Sequence, residues 1–266
     1  MSTRETPATL MQAAAELSRI AGDVALRHFR SADLRIDRKA NSSPVTEGDL
    51  ASESAAREWI RSRFPSDGIL GEEYGIERGE ASRRWLLDPI DGTKTYVRGV
   101  PLWGTLVAVM EGEEVIAGAA NFPALSELIC AAPGEGCWLN GNPAKVSAIG
   151  RLADALVLTT DETFSAAPEW RDEWFQLESA AGMTRSWGDC YGYLLVASGR
   201  AEVMVDPVLS DWDAAALLPV IEEAGGIFSD WRGARRITGG SAIATNRELG
   251  AEARRLLGTS QAGKRT

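Results

Sequence analysis

The segment Trp85-Leu86-Leu87-Asp88-Pro89-Ile90-Asp91-Gly92-Thr93-Lys94 runs an apolar strand into two carboxylates, a proline, a glycine and a threonine. Proline has no N–H, which releases the turn from a sheet ladder, and Gly92 lets the backbone approach a ligand and can begin a helix. Asp88 and Asp91 then flank one pocket, with the amides of Gly92 and Thr93 directed at an anion. Two carboxylates on a tight turn repel each other unless a cation lies between them, and a phosphate brought there adds to the repulsion. A hard divalent ion resolves both conflicts. Magnesium takes one or two carboxylates together with phosphate and water, so two or three ions can share an acidic set of this kind. The same residues also suit a capped turn in which Asp88 and Asp91 satisfy amides.

Two other segments place acids at element ends. Gly71-Glu72-Glu73 follows the apolar Ile69-Leu70, and Ser210-Asp211-Trp212-Asp213-Ala214-Ala215 opens a helix, where the macrodipole favours negative charge even without metal. Each also reads as a helix cap or a solvated turn. Other phosphate chemistries fail on spacing. The chain has no Gly-x-x-x-x-Gly-Lys-Ser/Thr loop, and Gly134-x-Gly136 lacks the third glycine of a dinucleotide fingerprint. No cysteine is followed six residues on by arginine, and neither acid pair fits the Asp-x-Asp-x-Thr/Val of an aspartyl-phosphate site. The single histidine, His28, excludes two-histidine zinc sites and Ser-His-Asp triads built elsewhere in the chain. In a hydrolase, carboxylates must therefore do the work. His28 continues the helical face of Leu10, Ala14, Leu17, Ala21 and Val24, and is read as packed or partly exposed.

A chain of 266 residues, 44% apolar and 25% charged, can bury a core without disulfide or zinc staples, which excludes disorder. Cys130, Cys137 and Cys190 form no Cys-x-x-Cys pair and are read as buried thiols. A net charge of −10 opposes binding to nucleic acid, and the basic Lys264-Arg265 is too short to reverse it. Apolar stretches such as Leu102 to Met110 fall short of a membrane span, and Met1 to Pro7 carries an acid where a leader would be basic. The expectation is a cytoplasmic protein with no membrane or nucleic-acid partner.

These acids must be positioned by the elements between them. Thr6-Pro7 predicts the start of a helix reaching about Arg30, followed by a polar connection over 31–48. Thr46 and Asp49 predict a capped second helix to about Arg63, with Leu50, Ala55, Trp59 and Ile60 available for burial and Pro65 as its stop. Short strands follow at 69–70, 85–87, 102–110, 115–121 and 126–131. The second half alternates: strand 155–160, helix 168–181, strand 184–187, helix 191–198, strand 201–205, helix 211–224, strands 226–229 and 242–245, and a last helix from Arg247. Pro219 is expected to kink the helix that contains it. With no repeat or low-complexity linker, residues 1–266 read as one catalytic unit with approximate halves 1–150 and 151–266.

Gly71-Glu72-Glu73, Asp88-Pro89-Ile90-Asp91-Gly92-Thr93, Trp212-Asp213 and Glu223-Ala224-Gly225-Gly226 occur in that order. Together they resemble the signature of the inositol monophosphatase family, across nearly the whole chain. The resemblance implies an α/β (α+β) layered αβαβα sandwich and a magnesium-dependent phosphomonoesterase using two to three Mg2+ ions. It implies Glu72 as a ligand shared by the first and third ions and Asp88 as the bridge between the first and second. The Ile90 carbonyl would serve the first, and Asp91 and Asp213 the second. Thr93 and Asp49 match the pair that orients the attacking water, and Lys39 lies in a corresponding mobile loop. Asp91, Gly92, Thr93 and Asp213 would also meet the bound ester. A divalent ion acidifies water and stabilises charge as the ester breaks, so no covalent enzyme intermediate is required.

Asp91 to Trp103, with Lys94 after Gly-Thr and then Tyr96-Val97-Arg98-Gly99-Val100-Pro101, is similar to the histidinol-phosphate phosphatase branch, as is Trp187 to Tyr193. Histidinol phosphate carries an ammonium and an imidazole, so its pocket calls for further carboxylates, for which Asp189 and Asp206 are the candidates. Each equally suits a helix or turn cap. Arg98 and Trp103 are placed at the rim or in surface packing. Inositol 1-phosphate, other sugar phosphates and 3′-phosphoadenosine 5′-phosphate are alternative substrates, and an inactive metal-dependent binding protein is an alternative of another class. The resemblance also implies a homodimer.

Overall fold

The computed structural model describes residues 5–40 and 42–258. The readings of Met1 to Arg4 and of Lys264-Arg265 lie outside them. Helix α1 (Pro7–His28) opens on Thr6, whose Oγ1 accepts the Thr9 N–H at 3.2 Å, and it buries Leu10, Ala14, Leu17, Ala21 and Ala25 at helical spacing. The stretch expected as a plain connection holds a hairpin, β1 (Ile36–Arg38) paired antiparallel with β2 (Pro44–Thr46). β1 is exposed throughout and only Thr46 of β2 is buried, so no apolar alternation advertised it. Helix α2 (Glu47–Arg63) begins with the expected Thr46–Asp49 capping box. Its buried face is only partly the expected one: Ile60 is buried and Trp59 packs partly against the core, but Leu50 is exposed, and Ser52, Glu53, Ala56 and Arg57 also face inward. Glu53 and Arg57 pair there, which allows two charges where apolar side chains were expected.

The larger sheet comprises β3 (Gly68–Gly71), β4 (Gly75–Glu77), β5 (Arg83–Asp91), β6 (Gly104–Glu111), β7 (Glu114–Phe122), β8 (Glu127–Ala132), β9 (Gly136–Leu139) and β10 (Asn142–Pro143), with a single-turn helix α3 (Thr93–Tyr96) between β5 and β6. Its order is β10-β9-β8-β7-β6-β5-β3-β4, parallel between β3 and β5 and antiparallel elsewhere. Alternation assigns its two faces. Val107 and Val109 of β6 pack with Leu10, Leu17 and Ile60 of the first two helices, while Leu106, Ala108 and Met110 enter the opposite core. Coverage on both sides explains why Leu102 to Met110 reads as one apolar run.

The smaller sheet has β11 (Leu156–Thr159), β12 (Met183–Arg185), β13 (Val203–Asp206), β14 (Ile227–Ser229) and β15 (Ala242–Thr245), in the order β12-β11-β13-β15-β14. Helix α4 (Arg171–Ala180) precedes β12, α5 (Asp189–Ala197) and α6 (Asp211–Glu223) flank β13, and α7 (Gly250–Leu256) follows β15. Side chains of α5 and α6, among them Tyr193, Leu194, Leu217 and Val220, share one core with Leu86 and Leu106 of the larger sheet and Leu158 and Met204 of the smaller. Trp174 and Leu177 of α4 and Ala253 of α7 cover the far face with Val157 and Val205. The layers thus run α1/α2, larger sheet, α5/α6, smaller sheet, α4/α7, the αβαβα sandwich. Helix α6 continues through Pro219 to Glu223, and the proline ring lies beside Gly118 of β7, where a side chain would overlap it. Packing between two sheets holds the helix where isolated propensity predicted a break. Among the described residues no helix is long and apolar enough to cross a membrane.

Candidate active site

Side chains on a regular strand alternate, so Asp88 and Asp91, three apart, would face opposite sides of the sheet. They do not. Asp88 pairs with Leu106 and Asp91 with Gly104, three steps on β5 against two on β6, so the Pro89-Ile90 turn inserts one extra residue. This bulge turns Asp91 to the side of Asp88. The Ile90 N–H donates to Asp88 Oδ1 at 2.9 Å, and the Cys190 N–H to Asp91 Oδ2 at 2.5 Å. Asp213, in the first turn of α6, accepts the Ser210 N–H at 3.2 Å through Oδ2. One oxygen from each of Asp88, Asp91 and Asp213 lies within 4.8 Å of the others.

Burial, and then the charges of Glu72, Asp213 and Asp91, push Asp88 well above the usual carboxylate range. Asp213 is raised in the same way, first by burial and then by Asp91. Burial raises Asp91 to about 6 against the hydrogen bonds from Cys190. Asp213 Oδ1 is buried with no hydrogen-bond partner. An unpaired buried acceptor within a set of carboxylate oxygens, with no Lys, Arg or His among the described residues forming a salt bridge to them, fits a hard divalent ion such as Mg2+.

Glu72 stands in the turn between β3 and β4, where its N–H donates to the Leu87 carbonyl at 3.1 Å. Lys39 Nζ bridges Glu72 Oε1 at 2.6 Å and Glu73 Oε1 at 2.7 Å. Burial lifts Glu73 to about 7 despite that ammonium. Asp49 is buried at the start of α2, where Oδ2 accepts the Thr46 N–H at 2.7 Å and hydroxyl at 2.5 Å. Burial raises it to about 6 against those bonds. Its Oδ1 faces the Thr93 hydroxyl at 3.4 Å, and that hydroxyl also lies 2.9 Å from the Ile90 carbonyl. Gly92 sits at φ +83°, a left-handed conformation that favours glycine, and a Cβ there would crowd Asp189 Oδ2 at 3.0 Å.

A cavity of about 770 Å³ opens over this constellation, walled by Glu72, Gly92, Thr93, Lys94, Arg98 and Asp189 among others. Asp189 is half-buried, accepts the Thr95 hydroxyl at 3.3 Å, and is raised to about 7 by burial and then by Asp91. It opens α5 yet caps no amide of that helix. Asp206 does not reach the cavity wall: it is buried beneath it, accepting the Tyr193 hydroxyl at 3.0 Å, and burial raises it to about 7.

Arg98 lines the cavity as expected, but Trp103 is at neither rim nor surface. It is fully buried, 4.9 Å from the Tyr96 ring and 5.4 Å from Phe29. The single-turn helix α3 folds the chain back, so an indole beside a polar run ends inside. His28 is partly exposed, 3.5 Å from Glu47, and the three cysteines are free and buried, as expected. Asp161, which the sequence did not single out, also lines the cavity. Though partly buried, it is held at about 2 by the hydroxyls and amides of Thr163 and Ser165. Glu223 is not in the site. Its two oxygens each accept an N–H at 2.9 Å, from Gly134 and Gly136, pinning α6 to the β8–β9 turn.

Known proteins are similar to this chain over most of its length. The sequence profile of the inositol monophosphatase family matches residues 6–262. A histidinol-phosphatase of Chlorobaculum parvum is 42% identical, covering 90% of this chain and 93% of that protein. One of Mycobacterium tuberculosis is 39% identical over 82% and 86%. Among solved structures, an inositol monophosphatase from Zymomonas mobilis superposes with a TM-score of 0.84 at 32% identity, covering 96% of this chain and all of that one. The extragenic suppressor protein suhB of Bartonella henselae does so at 0.87 and 26%, over 93% and 98%. The chain belongs to the inositol monophosphatase family and is a phosphoric monoester hydrolase.

Proposed function

We propose that this protein is a Mg2+-dependent histidinol-phosphate phosphatase, releasing histidinol and phosphate by direct attack of water. The observation that carries the reading is the Asp88, Asp91 and Asp213 cluster beneath a cavity whose wall carries Glu72, Asp161 and Asp189, of which Asp189 is the one neither in the proposed cation set nor tied up by its own loop. Asp88, Asp91, Asp213, Glu72 and the Ile90 carbonyl would hold two or three ions. When bound, the ions offset the carboxylates and the phosphate and acidify the attacking water.

The chain's own groups do the rest. Thr93 donates a hydrogen bond to Asp49 while keeping its proton, and accepts one from the water through a lone pair, orienting it for in-line attack. Asp49, raised to about 6, can take up a proton near neutrality. Lys94 and Arg98 on the cavity wall favour the approach of the phosphate. Asp189 offers charge to the cationic end of the substrate. The names of the two relatives described above support that choice over inositol 1-phosphate.

The test is phosphate release from histidinol phosphate, inositol 1-phosphate, fructose 1,6-bisphosphate and 3′-phosphoadenosine 5′-phosphate, each with Mg2+ or with EDTA. Histidinol phosphate should give the highest kcat/KM, and EDTA should abolish turnover. Equal or greater turnover of another ester overturns the substrate; activity that survives exhaustive chelation overturns the metal.

A further inference from the structure

Glu53 and Arg57 lie one turn apart on the inner face of α2, against the turn that carries Glu72. Glu53 is fully buried. Its Oε2 accepts the Glu73 N–H at 2.7 Å, and its Oε1 accepts the Tyr74 N–H at 3.2 Å and the Arg57 Nε–H at 2.7 Å. Arg57 extends the grip, donating to the Gly75 carbonyl and reaching Glu77 Oε2 at 3.4 Å. The Glu72 N–H is held separately by the Leu87 carbonyl. Successive amides at 72, 73 and 74 are therefore all anchored, the first to β5 and the next two to Glu53. Gly71 makes the room, because a Cβ there would overlap the Glu53 carboxylate.

A buried ion pair adds little net stability over apolar packing, so stability alone is a poor reason for two charges at this point in the core. What the pair does achieve is geometric: it fixes the backbone on both sides of Glu72. We propose that Glu53, braced by Arg57, is a positioning residue that aims the Glu72 carboxylate at the Asp88, Asp91 and Asp213 cluster. It thereby sets the affinity of the site for divalent cations without touching them. The inference rests on Glu72 being a cation ligand.

Two variants test it. Glu53→Gln keeps the shape but faces an amide N–H with an NH2 group; Glu53→Asp keeps the charge beside Arg57, and so the fold, but withdraws the oxygens from the Glu73 and Tyr74 amides. Mg2+ binding is measured by calorimetry without substrate, alongside the Mg2+ concentration giving half-maximal phosphate release. Partners that orient a ligand are worth about 10- to 100-fold in metal affinity. Both midpoints should rise by about that factor, with kcat at saturating Mg2+ changed less than about threefold. Glu202→Gln serves as control: this buried acid, bonded to Ser147 and the Leu156 N–H, lies in the smaller-sheet half, so the variant should lower the melting temperature and leave both midpoints alone. If Glu72→Gln shifts the midpoints and neither Glu53 variant does, the positioning role is wrong and Glu72 stands as a ligand. If Glu72→Gln shifts nothing, the reading of Glu72 itself falls, and the inference falls with it.

Discussion

The Thr93 hydroxyl lies 3.4 Å from Asp49 Oδ1 and 2.9 Å from the Ile90 carbonyl, one proton between two acceptors. If the Ile90 carbonyl held a cation, as proposed, the Thr93 hydroxyl would be left to Asp49, with a lone pair free for water. Thr93→Val should lower kcat by about 10²-fold or more, the range for a lost proton-transfer partner. Its Mg2+ half-saturation should stay within about twofold. Steady-state kinetics across a Mg2+ titration check this; a change confined to the Mg2+ midpoint would assign Thr93 to metal binding instead.

Asp88 is deeply buried among Glu72, Asp213 and Asp91, whose charges all raise its proton affinity. Asp88→Asn would remove a proposed ligand and a repulsion together. Turnover should fall about 10³-fold or more, in keeping with several kcal/mol of lost charge stabilisation. In EDTA the variant should melt at a higher temperature than the wild type. Scanning calorimetry in EDTA and phosphate-release assays in Mg2+ read the two effects separately.

Burial raises Asp49 and Asp91 to about 6, and Glu73, Asp189 and Asp206 to about 7, above unfolded values of 3.8 for Asp and 4.5 for Glu. The native state therefore binds more protons than the unfolded chain between those limits, and stability falls as pH rises through the window. Without metal the melting temperature should be lower at pH 8 than at pH 5. A bound divalent ion opposes this by mass action, so the gap between Mg2+ and EDTA melting curves should widen with pH. A gap independent of pH would show that the acidic cluster is not where the ion binds.

Asp189 lines the cavity, whereas Asp206 lies behind it. A hydrogen bond to a charged group is worth about 1.5–3 kcal/mol, so Asp189→Asn should raise KM for histidinol phosphate by about 10- to 100-fold. KM for inositol 1-phosphate, which has no ammonium, should move far less. Comparing the two substrates on one variant separates lost recognition from general damage.

Glu223 holds the Gly134 and Gly136 amides with both oxygens. Glu223→Ala should cost about 1–2 kcal/mol of stability, typical of two hydrogen bonds of this exposure. Its kcat/KM should be unchanged. Urea unfolding and a single kinetic assay decide whether this part of the signature is scaffold or machinery.

The carboxylate chemistry was legible in the sequence where it is contiguous: Asp88 to Thr93 form one turn, and residue type with spacing suffices to call for a cation. Helix starts at Thr6 and Thr46 were legible for the same reason, since a cap is settled within four residues. Contacts formed between distant segments were not. Whether Asp88 and Asp91 point the same way depends on a bulge defined only by pairing with β6. Nothing in local spacing singled out Glu53 and Arg57, and only packing of α2 against the β3–β4 turn makes them a buried clamp. Trp103 turned inward, and Asp206 fell behind Asp189, because the aromatic cluster and α5 close over them. Local spacing determines which groups are available, but alternation, register and burial are properties of the assembled sheets, and they decide which of those groups meet.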